Sequence, residues 1–303
     1  MNLYGLRLPY RNTYWLKLNI LRLYFKLKKN KGIWVMREDW DNLIILDACR
    51  HDTFEEVYGS KVDYKISRGS STPEFLIENF LGRKYLDTVY ITANPFVDRL
   101  VKKSFYKVIS VWKYEWDKEI NTVRPEAVVR YAIKAEELYP NKRLIIHFIQ
   151  PHIPFLTDPE LTSNINFYER FKHIARGRRL YPIKDPWLRA LRGEVDPDRV
   201  WKAYKRNLEI VLSHALTLAN KLKGKTVITS DHGEAFDQIF FPFPMKIAGH
   251  PTGIHILPLI KVPWLVINKK RKEIYNDYNN YYKLKIKIQK IKSRLMGDGQ
   301  QSV

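Results

Sequence analysis

The chain has 303 residues, 45% of them hydrophobic, enough for one large domain with a sizeable core. No run of about 18 uncharged apolar residues occurs, which excludes a membrane-spanning helix, and the single cysteine, Cys49, excludes an intrachain disulfide. The formal net charge of +21 draws the protein toward anions: nucleic acid, an anionic membrane surface or a phosphorylated substrate.

The basic residues gather at the two ends. No acidic residue precedes Glu38, and residues 1–36 read as a basic amphipathic segment with a helix over 12–29. Leu16, Ile20, Leu23 and Leu27 fall near helical spacing with lysines and arginines between them, and Tyr14, Trp15, Tyr24 and Phe25 suit a membrane interface. A helix packed on the domain with a solvated basic face has the same pattern. Arg7, Arg11 and Lys17 interrupt the first apolar stretch, which argues against a signal peptide. With one cysteine, this gives the expectation of a cytoplasmic protein, peripheral to the membrane at most. Residues 269–303, rich in lysine from Lys269 to Lys292, read as a basic C-terminal helix. The acids lie between, so residues 37–268 are the expected catalytic domain.

In that span, strands are predicted at Leu43–Leu46, Val89–Thr92, Val108–Val111, Leu144–Ile149, Thr226–Thr229 and Trp264–Ile267. Several are unbroken aliphatic runs, as expected of strands buried on both faces. Helices are predicted at 73–81, 125–139 and 197–223, the last opened by Asp196-Pro197 and closed at Gly224. The alternation predicts a three-layer α/β/α fold with a largely parallel central sheet. Ligands of such sheets bind at the carboxyl ends of the strands.

Chemistry-bearing residues stand at those ends. The first strand ends in Asp47, followed by Cys49, Arg50 and His51. A carboxylate at the tip of a buried strand needs a partner, and a cation is the usual one, although a turn cap also places an aspartate there. The strand Thr226–Thr229 runs into Asp231-His232-Gly233-Glu234, where a hard oxygen and an imidazole suit zinc, manganese or a similar ion. In Arg68-Gly69-Ser70-Ser71-Thr72-Pro73, the proline makes Thr72 the expected N-cap of a helix. A hydroxyl there faces free backbone N–H groups, so it caps the helix or acts as a nucleophile on a bound anionic ester. His147 lies in its strand, His152 follows in a turn between two prolines, and His250 and His255 precede the last strand.

The order of these motifs resembles the alkaline-phosphatase superfamily. It is most similar to the sulfatase and phosphoglycerol/phosphoethanolamine transferase branch. The stretches DWDNLIILDACRHDTF, GKTVITSDHGE and GHPTGIHILPLIKVPWLVI look like the sulfatase-like proteins common in archaea, and the terminal KIKSRLMG is similar to the closing helix of many sulfatases. The resemblance covers about residues 38–268 and implies an alkaline-phosphatase-like fold. It implies that Asp47, Asp231 and His232 bind a divalent metal: Mn, Zn, Mg or Ca. Thr72 is the implied nucleophile with Ser71 as second choice, His152 contacts substrate, and His250 is a second ligand or proton donor. Arg50, Arg68 and His147 are candidates for holding the charged substrate. Two departures matter. No cysteine stands near Pro73, which argues against the modified-cysteine chemistry of true sulfatases. Phe148, four residues before His152, replaces the aspartate of a second-metal pair, which favours one ion over two.

The expected function is therefore metal-dependent hydrolysis or transfer of phosphate or sulfate esters, with a glycan or a lipid as the candidate carrier of the ester. A competing reading is a membrane- or glycolipid-surface binding protein on an inactive hydrolase scaffold, motivated by the basic ends. A nucleic-acid partner is disfavoured, because no helix-turn-helix, zinc-finger or RNP-like pattern occurs.

Overall fold

A computed structural model describes residues 10–178, 185–240 and 245–275. Its strands, in chain order, are β1 (Asn42–Asp47), β2 (Tyr64–Ile66), β3 (Tyr85–Thr92), β4 (Phe105–Ser110), β5 (Trp116–Asp117), β6 (Thr122–Val123), β7 (Arg143–Pro151), β8 (Thr226–Thr229), β9 (Ala235–Phe240), β10 (Met245–Gly249) and β11 (Lys261–Ile267). The α-helices are α1 (Tyr10–Lys28), α2 (His51–Tyr58), α3 (Thr72–Phe80), α4 (Pro95–Leu100), α5 (Pro125–Leu138), α6 (Phe167–Ala175), α7 (Pro186–Leu191), α8 (Pro197–Lys221) and α9 (Leu257–Ile260). The expected C-terminal helix lies almost wholly outside the described residues.

Seven strands form the central sheet in the order β2-β11-β8-β1-β7-β3-β4. The inner strands are parallel: β1 pairs with both β7 and β8, and β3 with both β7 and β4. This is the largely parallel three-layer α/β/α arrangement that the aliphatic runs predict. The burial follows the pleat, in which successive side chains face opposite layers. Ile44 and Leu46 pack with Val128 and Ala132 of α5 and Leu208 and Leu212 of α8. Leu43 and Ile45 face the other way, onto Phe75, Leu76 and Phe80 of α3.

One end of the sheet departs from the parallel pattern. β11 runs antiparallel to β8 and to β2. A parallel return needs a crossover of about a dozen residues that carries the chain back to the other end of the sheet. Here the β9–β10 hairpin and the four-residue α9 stay at the carboxyl end of β8, so β11 enters the sheet from that end.

Helix α1 packs apart from both main layers. Leu18, Leu21 and Phe25 bury against Ile247, Ile254 and Leu259. The Arg22 guanidinium donates to the Thr252 carbonyl at 3.0 Å, which ties α1 to the loop after β10.

Candidate metal centre and cavity

The carboxyl ends of β1, β7 and β8 and the start of α3 converge on one buried cluster. Asp47 is the last residue of β1, and His147 of β7 is in register with Ile45, two residues earlier, on the neighbouring strand. Asp231 and His232 follow β8. Asp47, His147, Asp231 and His232 are all buried. The His232 Nε2 lies 3.6 Å from Asp47 Oδ1 and 3.6 Å from Asp231 Oδ2. The His147 Nε2 lies 3.8 Å from an oxygen of each carboxylate.

Local hydrogen bonds aim these groups. His232 Nδ1–H donates to the Gly233 carbonyl at 2.7 Å, which leaves its Nε2 lone pair facing the carboxylates. His147 Nδ1 meets the Tyr90 hydroxyl at 3.0 Å; donation in that direction frees its Nε2 in the same way. The Ala48 N–H donates to Asp231 Oδ1 at 3.2 Å, from a backbone held at φ 61°, a strained angle for alanine. Ser230 joins the two strand ends, accepting from the Cys49 N–H at 2.9 Å and donating to the Leu46 carbonyl at 2.6 Å.

The cluster fits a divalent cation. Buried polar atoms are ordinarily hydrogen-bonded, yet His147 Nε2 and Asp231 Oδ2 have no hydrogen-bond partner among the described residues. Both face the cluster, and Asp47, His147 and Asp231 offer ligand atoms all within 4.8 Å of one another. Two carboxylates this deep repel each other: burial and the nearby Asp231 push the Asp47 carboxyl well above the usual range. Burial likewise lowers the His147 and His232 imidazoles to about 4, so both are neutral and available as ligands near pH 7. Oxygen and imidazole donors together suit zinc or manganese.

Thr72 belongs to this cluster. Its Oγ1 lies 3.3 Å from His232 Nε2 and 3.4 Å from Asp47 Oδ1. Ser71, not Thr72, is the N-cap of α3, and its Oγ is bonded to Thr252 Oγ1 at 2.8 Å. Thr72 is thus the first residue of the helix, with its hydroxyl in the cluster and the helix N-terminus behind it. Both residues line a cavity of 370 Å³ that also takes in Asp47, Asn94, His152 and His250.

His250 and His152 close one side of that cavity. The His250 ring centre is 4.6 Å from that of His232 and 5.0 Å from that of His152. His250 Nδ1 sits 3.1 Å from both oxygens of the buried Glu234. Burial opposes its charge, but Glu234 outweighs burial and raises the imidazole to about 9. His152 goes the other way; burial and the His250 charge hold it well below its ordinary value. Beyond the histidines Phe96, Ile149, Ile153, Phe167, Phe171 and Leu188 line the wall, together with the charged Arg170 and Asp185.

Arg50 and Arg68 stand elsewhere. Arg50 grips Asp52 with contacts of 2.9 and 2.5 Å and lies over the Trp201 ring at 5.3 Å. Arg68 lies over the Trp34 ring at 3.8 Å and donates to the Gly32 carbonyl at 2.8 Å. Neither lines the cavity. His255 is held by Glu74 at 2.9 Å, outside the cavity as well.

Sequence reasoning missed Asn94, whose Nδ2 donates to Asp47 Oδ2 at 2.7 Å while its Oδ1 caps α4. The signal was present, since Asn94-Pro95 follows a predicted strand and marks a helix start at the carboxyl end of the sheet. It also missed Tyr90, Glu234 and Asp185, the last a carboxyl on the cavity wall that burial raises to about 6. Their parts depend on side-chain partners that no spacing reveals.

No protein-family model matches the chain, and no curated protein is similar to it in sequence. Among solved structures it is similar to the integral membrane protein lipooligosaccharide phosphoethanolamine transferase A (EptA) from Neisseria meningitidis, with 13% identity and a TM-score of 0.48 over 76% of this chain and 47% of that one. The soluble domain of the same transferase gives 14% identity and a TM-score of 0.47, covering 76% of each chain. The C-terminal periplasmic domain of phosphoethanolamine transferase EptC from Campylobacter jejuni gives 14% identity and a TM-score of 0.46, over 76% of this chain and 78% of that one. The chain thus spans about half the length of the full membrane transferase, 47%.

The cytoplasmic expectation is withdrawn: the similar structures include a periplasmic domain and an integral membrane protein, and a lone cysteine fixes no compartment. The archaeal character inferred from the motif stretches finds no support in these structures. No helix among the described residues is long and apolar enough to cross a membrane.

Proposed function

We propose that the protein is a metal-dependent phosphoryl transferase or phosphatase in which Thr72 is the nucleophile, within a catalytic domain spanning residues 37–268. The observation that supports this most is the Thr72 hydroxyl, 3.3 Å from His232 Nε2 and 3.4 Å from Asp47, at the start of a helix and on the wall of a cavity. A hydroxyl placed only for capping has no reason to share a cluster with two carboxylates and two imidazoles.

In this reading Asp47, Asp231 and His232 would hold one divalent cation, with His147, whose Nε2 faces the same carboxylates, available as a further ligand. A cation held there would supply Lewis-acid chemistry, easing loss of the Thr72 hydroxyl proton to water and offsetting charge on the ester oxygens. The backbone N–H groups at the start of α3 receive the phosphate. The ionised Thr72 oxygen forms a bond to phosphorus while the bond from phosphorus to the leaving oxygen breaks. His250, kept cationic by Glu234, gives its proton to that leaving oxygen. In the second step, water or an acceptor alcohol passes its proton to the now neutral His250 and displaces Thr72 from phosphorus. His152 contacts the ester from the facing wall.

The apolar side chains of the wall, Phe96, Phe167 and Phe171 among them, support an ester that carries a hydrophobic group, with Arg170 and Asp185 beside them for its polar part. The test is turnover of p-nitrophenyl phosphate, bis-p-nitrophenyl phosphate and p-nitrophenyl sulfate, after metal stripping and with Zn or Mn restored. Thr72→Ala and Asp231→Ala should each lower metal-dependent turnover on the order of a thousandfold or more, while Ser71→Ala keeps most of it. Full activity in Thr72→Ala would overturn the assignment, and preference for the sulfate ester would change the substrate class.

A further inference from the structure

Helix α1 has two apolar faces, and among the described residues only one of them is packed against the fold. At 3.6 residues per turn, Leu18, Leu21 and Phe25 share an arc of about 60°, and this arc is the buried one. Leu16, Ile20, Leu23 and Leu27 share a second arc of about 60°, roughly opposite the first. These four are exposed by 55%, 42%, 59% and 75% respectively. Scattered surface leucines need no explanation, but four aligned on one helix do.

The charge around this stripe selects what covers it. Lys17, Lys26 and Lys28 flank it, Lys29 and Lys31 follow directly, and all five are exposed. No acidic residue lies in α1 or anywhere before Glu38. An apolar stripe edged by lysines matches the boundary of an anionic bilayer, where leucines enter the acyl region and lysines meet the headgroup phosphates. Past the end of the helix, Lys28, Lys29 and Lys31 border a groove of 870 Å³ floored by Ile66, Ile256 and Ile260, so the apolar, lysine-edged surface continues. Trp15 links this surface to the site: it is 45% exposed on α1 and lines the mouth of the 370 Å³ cavity.

We infer that α1 is a docking helix for an anionic lipid surface, lying in the headgroup plane on Leu16, Ile20, Leu23 and Leu27, with the cavity mouth at its Trp15 end. The inference is independent of the catalytic reading, and its test reads binding rather than turnover.

The test is flotation of the full chain with phosphatidylcholine vesicles, with and without a share of phosphatidylglycerol, at low and high salt. The full chain should float with the anionic vesicles and far less with the neutral ones. Salt should weaken binding, and each lysine replaced by glutamine should cost about fivefold in affinity. The variant L16S/L23S/L27S, altered only at exposed positions, should lose about a hundredfold or more while keeping its circular dichroism spectrum and melting temperature. Failure of the full chain to float, or unchanged binding by the triple variant, would overturn the inference. So would a concentration-dependent dimer, seen by sedimentation and abolished by the triple variant without any flotation, because the stripe would then be an interface between copies.

Discussion

At the scale of single residues, two positions are the sharpest tests of how the site is held. Gly233 follows the Asp231-His232 pair, a place where glycine lets a backbone turn sharply. The structure gives a different reason. A Cβ at Gly233 would stand 2.0 Å from the Pro258 carbonyl oxygen, and the Gly233 N–H donates to the Leu259 carbonyl at 2.8 Å. Glycine is required by the close approach of two backbones, so Gly233→Ala should destabilise the protein by about 3 kcal/mol, read from urea unfolding. The second position is Glu234. Because it raises His250 to about 9 against the cost of burial, the pair's stabilisation is complete below the imidazole's ordinary pKa and is lost as pH rises through about 9. Glu234→Gln should therefore lower the melting temperature at pH 7 and have little effect at pH 10. It should also shift the alkaline limb of any activity to lower pH. A cation bound at Asp47 and Asp231 would move that limb down in both proteins and leave their order unchanged.

At the scale of elements, the site is built where strand ends meet one supporting helix. The interior of α8 contributes two polar side chains to the site's backbone. The Tyr204 hydroxyl donates to the Ala48 carbonyl at 2.8 Å and accepts from the Arg50 N–H at 3.0 Å. Asn207 Nδ2 reaches the Pro151 and His152 carbonyls, each at 3.1 Å, while its Oδ1 accepts from the Leu156 N–H at 3.0 Å. Asn207 is fully buried, so Asn207→Ala leaves carbonyl and N–H groups unpaired. It should cost about 1–3 kcal/mol, and the freed His152 turn should raise KM more than it lowers kcat. A change in stability with unaltered kinetics would show that this turn does not position substrate.

At the scale of the whole molecule, a metal bound at the proposed site would make stability depend on it. Burial and Asp231 push the Asp47 carboxyl well above its usual range, and a cation between the two carboxylates would favour the ionised pair. Saturating zinc or manganese at about a hundredfold above Kd should add about 2.7 kcal/mol of stability, seen as a rise in melting temperature that Asp231→Ala abolishes. The same organisation explains how much could be read from the chain. Aliphatic runs ending in Asp47 and in Asp231-His232 were legible, because a strand buried on both faces leaves a simple hydrophobic signature and its polar end stands out. The direction of β11 was not, since it depends on the short path through β9, β10 and α9. Nor were the positions of Arg50 and Arg68. A basic residue near a site suggests anion binding, but Asp52, two residues along, and the Trp34 ring engage these guanidiniums first. The sequence places His147 among the substrate contacts, whereas its Nε2 in the fold faces both carboxylates, an orientation that no spacing reveals.

The most direct measurement is to trap the covalent intermediate. The metal-loaded protein would be mixed with p-nitrophenyl phosphate, quenched in acid and digested, and the peptide containing Ser71 and Thr72 sequenced by mass spectrometry. A single phosphoryl group on Thr72, absent without metal and absent in Asp231→Ala, is the predicted result. Metal-dependent turnover with no phosphate on Thr72 at any quench time, retained in Thr72→Ala, would contradict the account.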